Sequence, residues 1–155
     1  MSTLVLGIGN TLLTDEGIGV HATRYICDTH PDLPDTLYLD GGTLSFTLAG
    51  PIEDADNLIV IDAAQLNEKP GTVHTFVGAA MDDYLGGQHQ RSVHEVGLMD
   101  LMSMVRLSGH LPENRALIGV QPKSLEWGEH PSEELQAIMP VVCQHAMELI
   151  QEWQS

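Results

Sequence analysis

Apolar residues in this chain come in short unbroken runs, separated by stretches in which they recur every three or four positions. That alternation predicts strands buried on both faces, set between amphipathic helices. The first run, Thr3 to Ile8, is apolar at almost every position. It leads through a glycine turn into a helix that starts near Thr14 or Asp15, whose side chains suit a cap, and turns Ile18, Ala22, Tyr25 and Ile26 inward. His30-Pro-Asp-Leu-Pro34 ends the helix, because a residue before proline is pushed out of helical geometry. Thr36 to Leu39 is a second strand, closing at Asp40-Gly41-Gly42. A short helix from Thr43 then carries Leu44, Leu48 and Ile52, and Asn57 to Ile61 is a third strand that closes in Asp62.

Only residues 63–71, including Pro70-Gly71, separate Asp62 from the next β-like run, Thr72 to Val77. That is short for a parallel crossover, so this strand is expected to be antiparallel at an edge. Met81 to Gln90, with Gly86-Gly87 and few apolar residues, reads as a surface loop. Ser92 to Glu95 has capping-box spacing, which puts His94 in the first turn of a helix running through Leu98, Leu101, Met102 and Val105 to Gly109. Arg115 to Val120 is the last strand and leads into Gln121-Pro122. Ser132-Glu-Glu opens a terminal helix with Leu135, Met139, Val142, Ala146 and Ile150 inward, bent at Pro140. The elements predict an α/β three-layer sandwich: a five-stranded, mostly parallel twisted sheet with one antiparallel edge strand. Right-handed crossovers then bring the carboxyl ends of the parallel strands to one edge.

Composition narrows the functions this frame can carry. The 155 residues, 43% of them apolar, suit a single domain, residues 1–155, with one substantial core. Six Lys and Arg against 22 Asp and Glu give a net charge of −16, which repels nucleic acid and anionic membranes and favours cationic or basic partners. No stretch approaches the ~20 apolar residues that span a bilayer, and no basic leader with a cleavage site opens the chain, so a cytoplasmic protein is expected. Cys27 and Cys143 lie far apart and read as small buried thiols, with one long-range disulfide left open by sequence.

The candidate chemistry sits at strand ends. Gly7-Ile-Gly9 lets the chain leave the first strand, and Asp15 and Glu16 follow at the carboxyl edge, where open α/β proteins place their ligand crevice. A dinucleotide fingerprint does not fit, because its third glycine falls at Leu12 and two anions stand where a phosphate would dock. Glu16, Asp40, Asp62 and His94 are expected to converge on that edge. Each alone has a plain reading, since an acid after a strand commonly caps a helix or makes a turn. Several carboxylates together repel one another unless a cation or a shared proton holds them. Two carboxylates and an imidazole suit a divalent transition ion with positions left open for substrate or water. His21, His30, His74, His89, His110, His130 and His145 have no comparable setting and read as surface or filler residues.

GIGNTLLTDEGIGV from Gly7 to Val20, DGGT from Asp40 to Thr43, the strand ending in Asp62, HEVG from His94 to Gly97 and GVQP from Gly119 to Pro122 occur in this order over nearly the whole chain. In these motifs the sequence resembles the hydrogenase maturation endopeptidases, which process the large subunit of nickel-iron hydrogenases. The resemblance implies a strand order of 2-1-3-5-4, Glu16, Asp62 and His94 as metal-contacting residues, and Asp40 as a further acid implicated in activity. It also implies removal of a C-terminal extension from the large-subunit precursor after nickel insertion, with the nickel arriving on the precursor. No nucleic acid or membrane partner is expected, and the chain is expected to act as a monomer.

Two mechanisms stay open at this point. In one, precursor-held nickel met by Glu16, Asp62 and His94 fixes the scissile bond. In the other, a carboxylate pair, Asp40 with Glu16 or Asp62, activates water as an aspartic peptidase does. Rival classes are a non-catalytic nickel-binding chaperone of the same precursor and, more weakly, a nucleotide-binding domain.

Overall fold

The apolar runs pair into one five-stranded sheet in the order β2-β1-β3-β5-β4. The structure, a computed structural model, describes residues 1–42, 46–87 and 93–154, and of residues 93–96 the backbone alone. β1 (Thr3–Ile8) lies between β2 (Thr36–Gly42) and β3 (Asn57–Ala63), parallel to both. β5 (Asn114–Val120) continues the parallel sheet beside β3, and β4 (Val73–Val77) closes it antiparallel at the edge. The strand expected to be antiparallel is so, because residues 64–72 form only a loop and a turn, too short to carry the chain back along the sheet.

Successive side chains of a strand face opposite ways, and the core divides accordingly. On one face Leu4, Leu6, Ile8, Leu58 and Val60 pack under α2 (Ala49–Asp54), α3 (Ala79–Gly86) and α4 (Val93–Leu107). On the other, Val5, Ile59, Ile61 and Ile118 pack under α1 (Ile18–Thr29) and α6 (Met139–Gln154). α1 sits directly on the strand ends because Gly19 has no side chain. A Cβ there would lie 2.1 Å from the Ile61 carbonyl oxygen and 2.4 Å from that of Ile8.

Several boundaries differ from the sequence expectation. Residues 79–86 form helix α3 where a loop was expected. Met81 and Leu85, one helical turn apart, are both buried, and their burial on one face sets the helix between the flanking glycines. β2 and β3 run past Leu39 and Ile61, to Gly42 and Ala63, so Asp40 and Asp62 belong to the strands themselves. The terminal helix is split. α5 (Glu133–Ala137) ends at Ile138, and Pro140 occupies the first turn of α6, where proline costs no hydrogen bond, so it bends nothing. α4 ends at Leu107, two residues short of Gly109. The helix expected from Thr43 is a 3-10 turn at Phe46–Leu48 followed by α2, and residues 43–45 fall outside the described residues. The capping box also falls outside them at Ser92 and at the side chains of His94 and Glu95. Cys27 and Cys143 are both free thiols, Cys143 buried and Cys27 partly so. Among the described residues no helix is long and apolar enough to cross a membrane.

Candidate active site

β1 ends at Ile8, and the chain turns back on itself through Gly9, whose φ of +141° suits glycine. A Cβ on Gly9 would lie 2.0 Å from the Glu16 carbonyl oxygen, so the backbone of Glu16 rests on the turn that follows β1. Residues Thr14–Gly17 form one 3-10 turn and α1 begins only at Ile18, without a side-chain cap. Thr14 and Asp15, expected to cap that helix, have other partners.

Those partners lie in a strap, residues 123–132, that crosses the edge after β5. The Thr14 N–H donates to the Gly128 carbonyl at 2.9 Å, and its hydroxyl lies 2.7 Å from the Ser124 carbonyl oxygen and 3.0 Å from that of Glu126. Thr14 takes up φ +46°, costly for a β-branched residue, and these bonds hold it there. The Asp15 carboxylate is fully buried and accepts from the N–H groups of Lys123 (2.8 Å), Ser124 (3.0 Å) and Ser132 (2.6 Å) and from the Ser132 hydroxyl (2.8 Å). Burial by itself raises this carboxyl, but the N–H groups of Ser132, Ser124 and Lys123 and the Ser132 hydroxyl together hold it below its ordinary value. Of the adjacent acids at the edge, Asp15 is therefore an anchor, and Glu16 lies half-buried beside it.

Asp62 is 3% exposed. Within β3 it alternates in phase with Leu58 and Val60, so it faces the side of the sheet covered by α4. α4 leads into the amino end of β5, where Ser108, just past its last turn, bonds the Glu53 carboxylate at the end of α2. α4, 15 residues and about 22 Å long, packs on that face of the sheet and carries the backbone of His94 in its first turn.

Asp40 is placed differently. It pairs in register with Gly7 of β1 and alternates in phase with Tyr38, which packs on the α1 face. Its Oδ2 meets the Arg24 guanidinium of α1 at 3.2 Å, and its Oδ1 accepts the Gly42 N–H at 2.9 Å. β2 and β3 flank β1 and so lie about 10 Å apart. Asp40 and Asp62 therefore leave the sheet two strands apart and on opposite faces, an arrangement in which they do not share a proton. Glu16 stands at the end of β1 between them.

Other expected filler residues have definite places. His21 on α1 is half-buried, with its Nε2 shielded from solvent and without a hydrogen-bond partner among the described residues. Burial, then the nearby charges of Arg24 and His130, push its imidazole below the ordinary value, while Asp40 pulls the other way. His145 Nδ1 lies 2.7 Å from the Thr75 hydroxyl, and the His74 ring stacks on Phe76. Gln121, in the GVQP motif, accepts the Leu66 N–H at 2.7 Å and donates to the Gln65 side chain at 2.8 Å, which fixes the loop after Asp62. Asp15 and Gln121 were legible only as polar residues beside strand ends. Their bonding depends on segments far away in sequence.

Of the expected metal-contacting residues, the described side chains are the two carboxylates Glu16 and Asp62, oxygen donors of the kind that suits a divalent ion. Among the described residues no three His, Cys, Asp or Glu side chains form a ready metal site, and the expected triad includes His94, whose side chain lies outside them.

Comparison with known proteins adds the following. The family model HycI, hydrogenase maturation protease, matches residues 24–150. The chain is similar to a hydrogenase expression/formation protein HupD of Rhizobium leguminosarum bv. viciae, 33% identical over 151 residues, covering 97% of this chain and 74% of that protein. It is 39% identical over 133 residues to the hydrogenase 2 maturation protease of Escherichia coli K12, covering 81% of this chain and 76% of that one. Among solved structures, the hydrogenase maturating endopeptidase HybD from E. coli superposes with a TM-score of 0.87 at 30% identity, covering 98% of this chain and 93% of that one.

Proposed function

This chain belongs to the hydrogenase maturation protease family, and we propose that it is the endopeptidase that removes the C-terminal extension of a nickel-iron hydrogenase large-subunit precursor after nickel insertion. The reading is carried by one observation. Asp62, at the carboxyl end of β3, faces the same side of the sheet as α4, whose first turn includes His94, while Glu16 is fixed over the end of the adjacent strand.

In this reading nickel enters as part of the substrate, held by the precursor. Glu16 and Asp62 meet it through carboxylate oxygens and His94 through an imidazole nitrogen, which fixes the scissile bond against the edge. The substrate's ion supplies Lewis acidity at the carbonyl or at a water. A carboxylate of the same set accepts the proton released when water attacks and passes it to the nitrogen of the breaking bond, so that the amine leaves with the extension. Asp40, held by Arg24 on the other face, contacts the precursor from the β2 side. The aspartic-type pairing of Asp40 with Asp62 is disfavoured by their placement on opposite faces. The enzyme acts in the cytoplasm as a monomer.

Incubating the purified protein with nickel-loaded precursor and following precursor mass tests the reading. Loss of the mass of the C-terminal extension is the expected result. Stable binding with no change in mass points instead to a nickel-binding chaperone.

A further inference from the structure

Three exposed apolar side chains lie on segments that adjoin the turn carrying Glu16. Leu12 (51% exposed), Leu125 (56%) and Trp127 (80%) lie on two segments joined by main-chain bonds, Gly128 N–H to the Leu12 carbonyl at 2.8 Å and Asp15 N–H to the Ser124 carbonyl at 3.1 Å. Leu12 is four residues before Glu16, so the patch borders the crevice. A tryptophan and two leucines left in water on adjoining segments forfeit burial energy that a partner covering them recovers, and exposed apolar surface of this kind marks interaction sites. The patch is also rigid, since the Asp15 carboxylate and the Thr14 hydroxyl fix the strap, so little chain entropy is lost on docking.

We propose that Leu12, Leu125 and Trp127 form the docking platform that seats the precursor next to the cleavage site, contacting an apolar segment flanked by basic groups. The proposal rests on the reading of the protein as the precursor's endopeptidase. Charge selects the occupant. Glu126 and Glu129 are exposed on the same strap, and its one Lys or Arg, Lys123, is engaged by Glu134 at 2.9 Å. A second copy of this chain would bring −16 against −16 and the strap's own acids against each other, whereas a basic-flanked apolar surface satisfies both features.

The test compares wild type, a Leu125→Ser/Trp127→Ser variant and a Leu107→Ser control, whose side chain is 89% exposed at the far end of α4. For each, the Kd for nickel-loaded precursor and the KM and kcat of its cleavage are measured. The double variant is expected to raise Kd and KM at least tenfold, with kcat within about twofold and an unchanged melting temperature, and the control to match wild type. Unchanged Kd in the double variant overturns the proposal. So does wild-type self-association in sedimentation that the double variant abolishes, since the occupant is then a second copy. If wild type binds the precursor without cleaving it, the endopeptidase reading fails while Kd still decides the platform. If it does neither, both fail.

Discussion

Asp15, in the turn that follows β1, and Asp40, near the carboxyl end of β2, both belong to the carboxyl edge of the sheet, yet they do opposite things. Asp15 is fully buried and accepts from three main-chain N–H groups and a hydroxyl. Asp40 keeps 47% of its side chain exposed and shares its charge with one guanidinium that is itself 60% exposed. An acid with enough donors to replace water becomes part of the scaffold, and one with few stays available to a substrate. The strap side of the crevice is thus built to be rigid and the β2 side to be accessible.

The largest expected effect comes from breaking the rigid side. Asp15→Ala leaves three N–H groups without their acceptor and is expected to cost about 3 kcal/mol or more, a fall in melting temperature of roughly 6–12 °C, read by calorimetry. A change under about 1 kcal/mol would mean the strap does not depend on this carboxylate.

Acid sharpens the same point. Because the folded Asp15 holds its proton less tightly than an ordinary aspartate, its contribution is fully present above the unfolded pKa and is lost as pH falls through the lower folded value. The stability gap between wild type and Asp15→Asn should therefore be flat above about pH 5 and close at lower pH, as chemical denaturation across pH would show.

On the accessible side effects are smaller. Arg24→Ala removes an exposed ion pair and should change stability by less than about 1 kcal/mol. Its clearer signature is at His21, whose imidazole Arg24 pushes down and Asp40 pulls up. NMR titration should find the His21 pKa raised by Arg24→Ala and lowered further by Asp40→Asn. Because its folded value is depressed, the neutral ring favours the fold fully above the ordinary histidine pKa, and that contribution is lost as pH falls through the lower folded value. Equal His21 titration in the three proteins would separate it from the β2 edge.

Much of this frame was readable beforehand. Continuous apolar runs such as Thr3 to Ile8 mark buried strands whatever their partners, and the short 63–71 link required an antiparallel strand. The family motifs supplied the strand order and the candidate acids. What escaped were properties set by distant segments. Whether Asp15 caps its own helix or anchors a strap 108 to 117 residues away depends on where that strap lies. The opposite facing of Asp40 and Asp62 depends on the register of β1 with β2 and β3, which no single strand encodes. α3 was missed because two buried side chains, Met81 and Leu85, decide a short stretch bounded by Gly78 and Gly86-Gly87.

The central claim is that Glu16, Asp62 and His94 act as one set while Asp15 holds the frame. It is tested most directly by following the mass of nickel-loaded precursor with Glu16→Gln, Asp62→Asn, His94→Ala and His94→Gln, each checked for a native circular dichroism spectrum. The account predicts that every variant folds and that cleavage falls by about 10³-fold or more, with His94→Gln recovering little, since an amide oxygen replaces the imidazole nitrogen. A folded variant of Glu16, Asp62 or His94 that releases the C-terminal extension at the wild-type rate would contradict it.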